Sequence, residues 1–173
     1  MKRTAMVLGT TLTAVLAFAP PALASHGGKA NSGKPDNTSQ DVESNSLTTN
    51  GKAAVSQGRA QLDRSDITTS VGGSDIHVYD KSYAASWYGS THCTDTNWWN
   101  GRCDHYSVRF NTRTMSGHSL SHWQSLGCHE FGHTGSLGHR YHSTDSNDNS
   151  CMREEIWPKY FDTHDVAAIN DNV

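Results

Sequence analysis

The sequence predicts an α+β fold, a short twisted sheet packed on one long helix with a second, shorter helix near the C-terminus. Three observations predict it. His105 to Asn111 alternates polar and apolar side chains, the period-two pattern of a half-buried strand. Leu120, Trp123, Gly127 and Phe131 recur at helical spacing and make one stripe for the core. Val166 and Ile169 follow a capping residue, Asp162 or Thr163, which predicts a last helix over Thr163–Asn170.

Taken in order, residues 1–24 read as a signal peptide. Lys2 and Arg3 form its charged start, Ala5 to Ala19 its apolar stretch, Pro20-Pro21 a helix stop, and Ala22-Leu23-Ala24 a small-residue cleavage site. The apolar stretch falls short of the roughly 20 residues that cross a bilayer. The expected mature chain is secreted, extracellular and free of the membrane after cleavage. Without Lys2 and Arg3 it carries 12 basic and 17 acidic residues, which argues against nucleic acid as a partner. A monomer is expected.

Residues 25–70 hold no aromatic side chain and are rich in Ser, Asn, Gly, Thr and Asp, so they read as a disordered arm or a propeptide. All five Trp, all six Tyr and three of the four Phe come after Gly72, which places the folded domain at 71–173. Within it Asp75–Tyr79 reads as a strand and Ala85–Tyr88 as a further candidate. Asn100-Gly101 is a hairpin signal. The long helix is expected to start at Ser119 or Ser121, the latter forming a capping box with Gln124. Gly135 and Gly138 are expected to end it by taking positive φ.

The four cysteines lack any C-x-x-C spacing and fit disulfides in an oxidising compartment. Of the three possible pairings, Cys93–Cys103 and Cys128–Cys151 are expected. The first closes a loop around Asn100-Gly101. The second ties the long helix to the segment containing Met152.

On that helix His129 and His133 stand one turn apart on one face, with Glu130 between them in sequence. Two imidazoles can hold a zinc ion, and a neighbouring carboxylate can take a proton from a water that the metal activates. His139 is the nearest candidate for a third ligand. Glu154, 21 residues after His133, is a rival for that position, and His142 a weaker one. His77, His92, His105, His118 and His122 are too scattered to make a second site.

The run His129-Glu130-Phe131-Gly132-His133-Thr134-Gly135-Ser136-Leu137-Gly138-His139, followed by Ser150-Cys151-Met152, resembles the signature of the metzincin zinc endopeptidases, and the small secreted bacterial, matrixin-like members most. The resemblance implies a metzincin-like catalytic domain with one catalytic zinc on His129, His133 and His139. It implies Glu130 as general base, a Met-turn with Met152 as the floor beneath the metal, and protein or peptide substrates. Calcium has no supporting ligand pattern in the sequence. The family keeps a glycine where Ser136 stands here, so the bend is expected to shift by one residue. Two other readings stay open. One is a secreted zinc-binding module without catalysis. The other is a thermolysin-like peptidase with Glu154 as third ligand. Tyr141 or Tyr160 is a candidate donor to a developing oxyanion.

Overall fold

The computed structural model describes residues 32–140, 149–154 and 158–173. The expected signal peptide lies outside them, as do Tyr141 and His142. In chain order the elements are β1 (Ser39–Asn45), α1 (Thr49–Leu62), β2 (Thr68–Val71), β3 (Ile76–Lys81), β4 (Gly89–Thr96), β5 (Cys103–Asn111), α2 (Leu120–Thr134) and α3 (Thr163–Asn170). The strands form one sheet in the order β2-β1-β3-β5-β4. The pairs β1–β2, β1–β3 and β3–β5 are parallel, and β4 closes one edge antiparallel to β5. The fold is α+β, as the sequence predicts.

Parallel neighbours need a crossover, and α1 supplies the one between β1 and β2. Alternation then fixes which side of each strand meets the helices. Val42, Ile76, Val78, Tyr106, Val108 and Phe110 are buried on that side, while Glu43, His77, His105 and Arg109 lie on the other. Phe110 meets Trp123 edge to face, with ring centroids 6.3 Å apart, and so joins sheet to α2.

The expectation of a disordered arm over 25–70 is corrected for its described part. Residues 39–71 hold β1, α1 and β2, and Val42, Ala54, Val55, Leu62 and Ile67 are in the core. Few large side chains are needed because α1 and α2 meet through glycines. A Cβ at Gly127 would lie 1.9 Å from the Ala54 carbonyl oxygen, and one at Gly58 would lie 2.5 Å from the Phe131 ring. Backbone-to-backbone contact replaces the side-chain packing that composition analysis counts. Gly127→Ala is therefore expected to destabilise the fold by about 3 kcal/mol, since the clash is with backbone that cannot rotate away. Urea denaturation checks it, and a loss below about 1 kcal/mol would refute the close crossing.

The start of α1 is polar. Thr48 caps it by accepting from the Gly51 N–H, and the buried Asp80 carboxylate accepts from both the Thr48 N–H and its hydroxyl, at 2.9 and 2.5 Å. The end of α1 is tied to the end of the chain. Gln61 Oε1 accepts from the Phe161 N–H at 3.0 Å, Arg64 donates to the Phe161 carbonyl at 2.7 Å, and the Asp66 N–H donates to Asn170 Oδ1 at 2.8 Å.

Other expectations shift by small steps. Ala85–Tyr88 is irregular, and the strand begins at Gly89 instead. Ser119, not Ser121, caps α2, and Leu120 is 51% exposed rather than in the core stripe. Trp123, Gly127 and Phe131 are buried as expected. Asp162 caps α3 in a capping box with Asp165, with Ile169 fully buried and Val166 partly so. Both expected disulfides are present, Cys93–Cys103 and Cys128–Cys151, with Cα atoms 5.7 and 6.0 Å apart.

Candidate metal centre

Three imidazoles converge at the C-terminal end of α2. His133 Nε2 lies 3.2 Å from His129 Nε2 and 3.0 Å from His139 Nε2. Their ring centroids are 4.8–4.9 Å apart. His129 and His133 arrive on one helix face by their four-residue spacing. His139 arrives because the chain reverses after Thr134.

That reversal corrects one expectation. Gly135 keeps a negative φ of −80°, and Ser136 itself takes the left-handed conformation, φ 69°. The bend stays in register. The Ser136 N–H donates to the His133 carbonyl at 3.0 Å, and the Leu137 N–H donates to the Gly132 carbonyl at 2.9 Å. This is the paired bonding of a Schellman motif, and buried Leu137 follows it into the core. The two bonds hold a serine where glycine is easier, against roughly 1 kcal/mol of backbone strain. Ser136→Gly is expected to raise stability by about 0.5 kcal/mol, because glycine's freedom in the unfolded chain offsets part of the relief. Thermal melting measures it; a decrease would refute the account.

The outward nitrogen of each ring is held. His129 Nδ1 donates to the Cys151 carbonyl and His133 Nδ1 to the Leu137 carbonyl, each at 2.8 Å. A carbonyl only accepts, so both Nδ1 atoms carry the hydrogen and both Nε2 atoms present lone pairs. His139 Nδ1 lies 2.7 Å from Glu154 Oε1. Glu154 therefore supports His139 from behind, and the third imidazole, not this carboxylate, stands beside His129 and His133.

Burial, together with the neighbouring imidazoles, pushes His129 down to about 3, and burial pushes His133 down to about 4, so both rings are neutral near pH 7. The neutral lone pairs of His129 and His133 meet at 3.2 Å with no hydrogen between them, an arrangement that suits a cation. Zinc holding imidazoles at about 2.0–2.1 Å in a tetrahedron separates its donor atoms by about 3.3 Å, close to the 3.2 and 3.0 Å at which His129 and His139 stand from His133.

Glu130 is buried, and burial pushes its carboxyl up to about 8 against the lowering effect of a hydrogen bond from Thr91. A dication beside it would draw it back down. These shifts give the metal-free protein a definite pH profile. The stability from the depressed His129 and His133 is present above 6.5 and lost as pH falls through about 4 and about 3. The raised Glu130 contributes stability that is full below 4.5 and lost as pH rises through about 8. Between pH 4.5 and 6.5 Glu130 offsets one of the two histidines, so the slope on the acid side of 6.5 equals that on the basic side. Stability in chelator is expected to peak near pH 6.5 and to fall further towards acid, where the histidines act over a longer range, and denaturant titration from pH 3 to 9 checks it.

Met152 is 1% exposed, with its sulfur against Gly132 on α2: a Cβ there would lie 2.2 Å from Sδ. The Cys128–Cys151 bond ties this turn to α2, and the Arg140 N–H donates to the Met152 carbonyl at 3.0 Å. Arg140 also grips α3, reaching both Asp162 oxygens at 2.7 and 3.1 Å and Asp165 at 3.0 Å. Tyr160 is 56% exposed, its ring centroid 5.9 Å from Lys159 Nζ. Among the described histidines away from the triad, His77 meets Glu43 at 2.5 Å, and His118 Nδ1 lies 3.2 Å from His122 Nδ1. Asp95, Asp104 and His105 gather on β4 and β5, outside the core.

No protein-family model matches the sequence, and no curated protein matches it in sequence. Among solved structures the chain is similar to myroilysin. One myroilysin structure aligns with a TM-score of 0.53 at 13% identity, covering 83% of this chain and 97% of myroilysin. A second, a crystal structure, aligns with the same score and identity over 81% and 85%. The chain shares the fold of myroilysin. At 13% identity the likeness concerns the fold, and the residues of the site are read from this chain alone. Residues that sequence reasoning missed are Arg140, Glu154 in its supporting position, and Thr91 with Gly89 on β4. Gly89, inside the β4 span, was the available signal, since glycine there often marks a close approach.

Proposed function

We propose that this chain is a secreted zinc-dependent endopeptidase, matrixin-like in its His139 and Met152 motif. One observation carries the reading: two imidazoles whose Nδ1 atoms are committed to carbonyl acceptors turn their lone pairs towards each other and towards His139. His129, His133 and His139 would hold the zinc through Nε2. Zinc bound there supplies Lewis acidity, lowering the pKa of water and polarising a peptide carbonyl.

The chain's own groups do the rest. Glu130 accepts a proton from the attacking water at its carboxylate and returns it to the leaving amine. Glu154 and the Cys151 and Leu137 carbonyls keep the three rings oriented, so no reorganisation is needed when substrate binds. Met152 and the disulfide beneath the triad exclude water from below. Two disulfides agree with export to an oxidising compartment. Among the described residues no helix is long and apolar enough to cross a membrane.

The second reading, a zinc-binding module without catalysis, predicts the same metal content. Zinc stoichiometry measured beside digestion of casein, with and without chelator, separates them. One zinc per chain with chelator-sensitive digestion supports the peptidase. One zinc with no digestion across a broad peptide library leaves the module, and no zinc sinks both.

A further inference from the structure

We propose that Thr91 is a positioning residue for Glu130, fixing the direction of its carboxylate from the edge strand β4. The inference rests on the reading of Glu130 as the general base.

Thr91 and Glu130 are 39 residues apart in sequence, and both are buried, at 9% and 3% exposure. Thr91 Oγ1 lies 2.7 Å from Glu130 Oε2 and 3.0 Å from the Glu130 carbonyl oxygen. A hydroxyl has one proton to donate. The carboxylate is the nearer and the stronger acceptor, while the carbonyl contact keeps the hydroxyl seated on α2. Pairing of Thr91 with Val108, itself buried, puts its side chain on the helix-facing side of the sheet.

Gly89 completes the device. It lies two residues earlier in β4, on the same side by the period of the strand. A Cβ at this position would fall 2.3 Å from Glu130 Oε1 and 2.7 Å from Cδ. So β4 meets both carboxylate oxygens, one through a hydrogen bond and one through the space an absent side chain leaves. The last torsion of a glutamate is broad and roughly two-fold, so a free carboxylate would sweep a range of directions. Held at Oε2 and admitted at Oε1, it is confined to one. A base must meet its proton within hydrogen-bond reach, and a displacement of about 1 Å can lower a rate by roughly a hundredfold.

The test uses the zinc-loaded full chain with Thr91→Val, which keeps the shape and removes the donor, and Thr91→Ser, which keeps the donor. Peptide hydrolysis gives kcat and KM. Protein labelled with ¹³C at the glutamate carboxyl gives a second readout. The chain has only Glu43, Glu130, Glu154 and Glu155, and the Glu130 signal is assigned by its loss in Glu130→Gln. Thr91→Val is expected to move that signal and to lower kcat roughly tenfold to a hundredfold, with KM changed less than about threefold and zinc content unchanged. Thr91→Ser is expected to restore both. A Thr91→Val protein with an unmoved Glu130 signal and unchanged kcat overturns the proposal, as does a Thr91→Ser protein no better than valine. Should the valine variant not fold, Thr91→Ala set against Thr91→Ser decides in the same way. If the wild-type chain hydrolyses no peptide, the peptidase reading fails, and the Glu130 signal alone still decides the contact.

Discussion

Glu130→Gln is expected to keep zinc at one ion per chain and to lower peptide hydrolysis by roughly 10²–10⁴-fold, the range that a positioned general base supplies. The amide has the size of the carboxylate, and its oxygen can still accept from Thr91, so the 2.7 Å contact and the packing against Gly89 survive. The three imidazoles do not depend on it, since their Nδ1 atoms are held by Cys151, Leu137 and Glu154. Only proton transfer is removed. Metal analysis and kinetics on the same sample check this, and a variant within tenfold of wild type would refute the role. The substitution has a second signature. Without zinc, the loss of stability between pH 4.5 and about 8 that Glu130 causes should vanish.

Arg140→Ala is expected to destabilise the protein by about 3–5 kcal/mol, because it leaves a buried carboxylate without its cation. Asp165 is 1% exposed, and burial raises its pKa against the pull of a Ser150 hydrogen bond and of Arg140. The guanidinium also grips Asp162 with two nitrogens, the cap of α3. Its backbone N–H meets the Met152 carbonyl, and the residue directly follows His139. Removing the side chain should therefore loosen the segment that delivers the third imidazole, so zinc affinity falls together with stability. Denaturant unfolding of the zinc-loaded protein, with competition by a chelator, measures both. A loss under 1 kcal/mol would show that the Asp162 and Asp165 carboxylates tolerate separation from it.

The site was more legible than the frame around it. His129, Glu130 and His133 announce themselves because one helical turn places the two histidines on one face, and periodicity reads such local relations. His139 was legible as the nearest histidine after the helix, and Met152 only through the resemblance of Ser150-Cys151-Met152 to a methionine turn. Ser136 was misread because residue preference favours glycine in left-handed geometry, whereas two backbone bonds and the burial of Leu137 decide it here. The frame failed for another reason. β1 and α1 contain few large apolar side chains, and their stability comes from partners far along the chain: Gly127 against Ala54, Phe161 against Gln61, Asp80 against Thr48. Composition reports only what a segment could bury by itself. Thr91 shows the same limit, since a threonine in a strand is ordinary until the helix opposite supplies a carboxylate.

The ties between α1 and the last residues also govern the order in which the molecule can be made. Gln61 and Arg64 wait for Phe161, and Asp66 waits for Asn170. A chain leaving the ribosome N-terminus first makes α1 early, yet its partners arrive about 100 residues later. Loop closure over such distances slows assembly. During that interval the glycine-lined side of α1 and the parallel edge of β1 stand open to pairing with neighbouring chains, until later residues arrive to cover them.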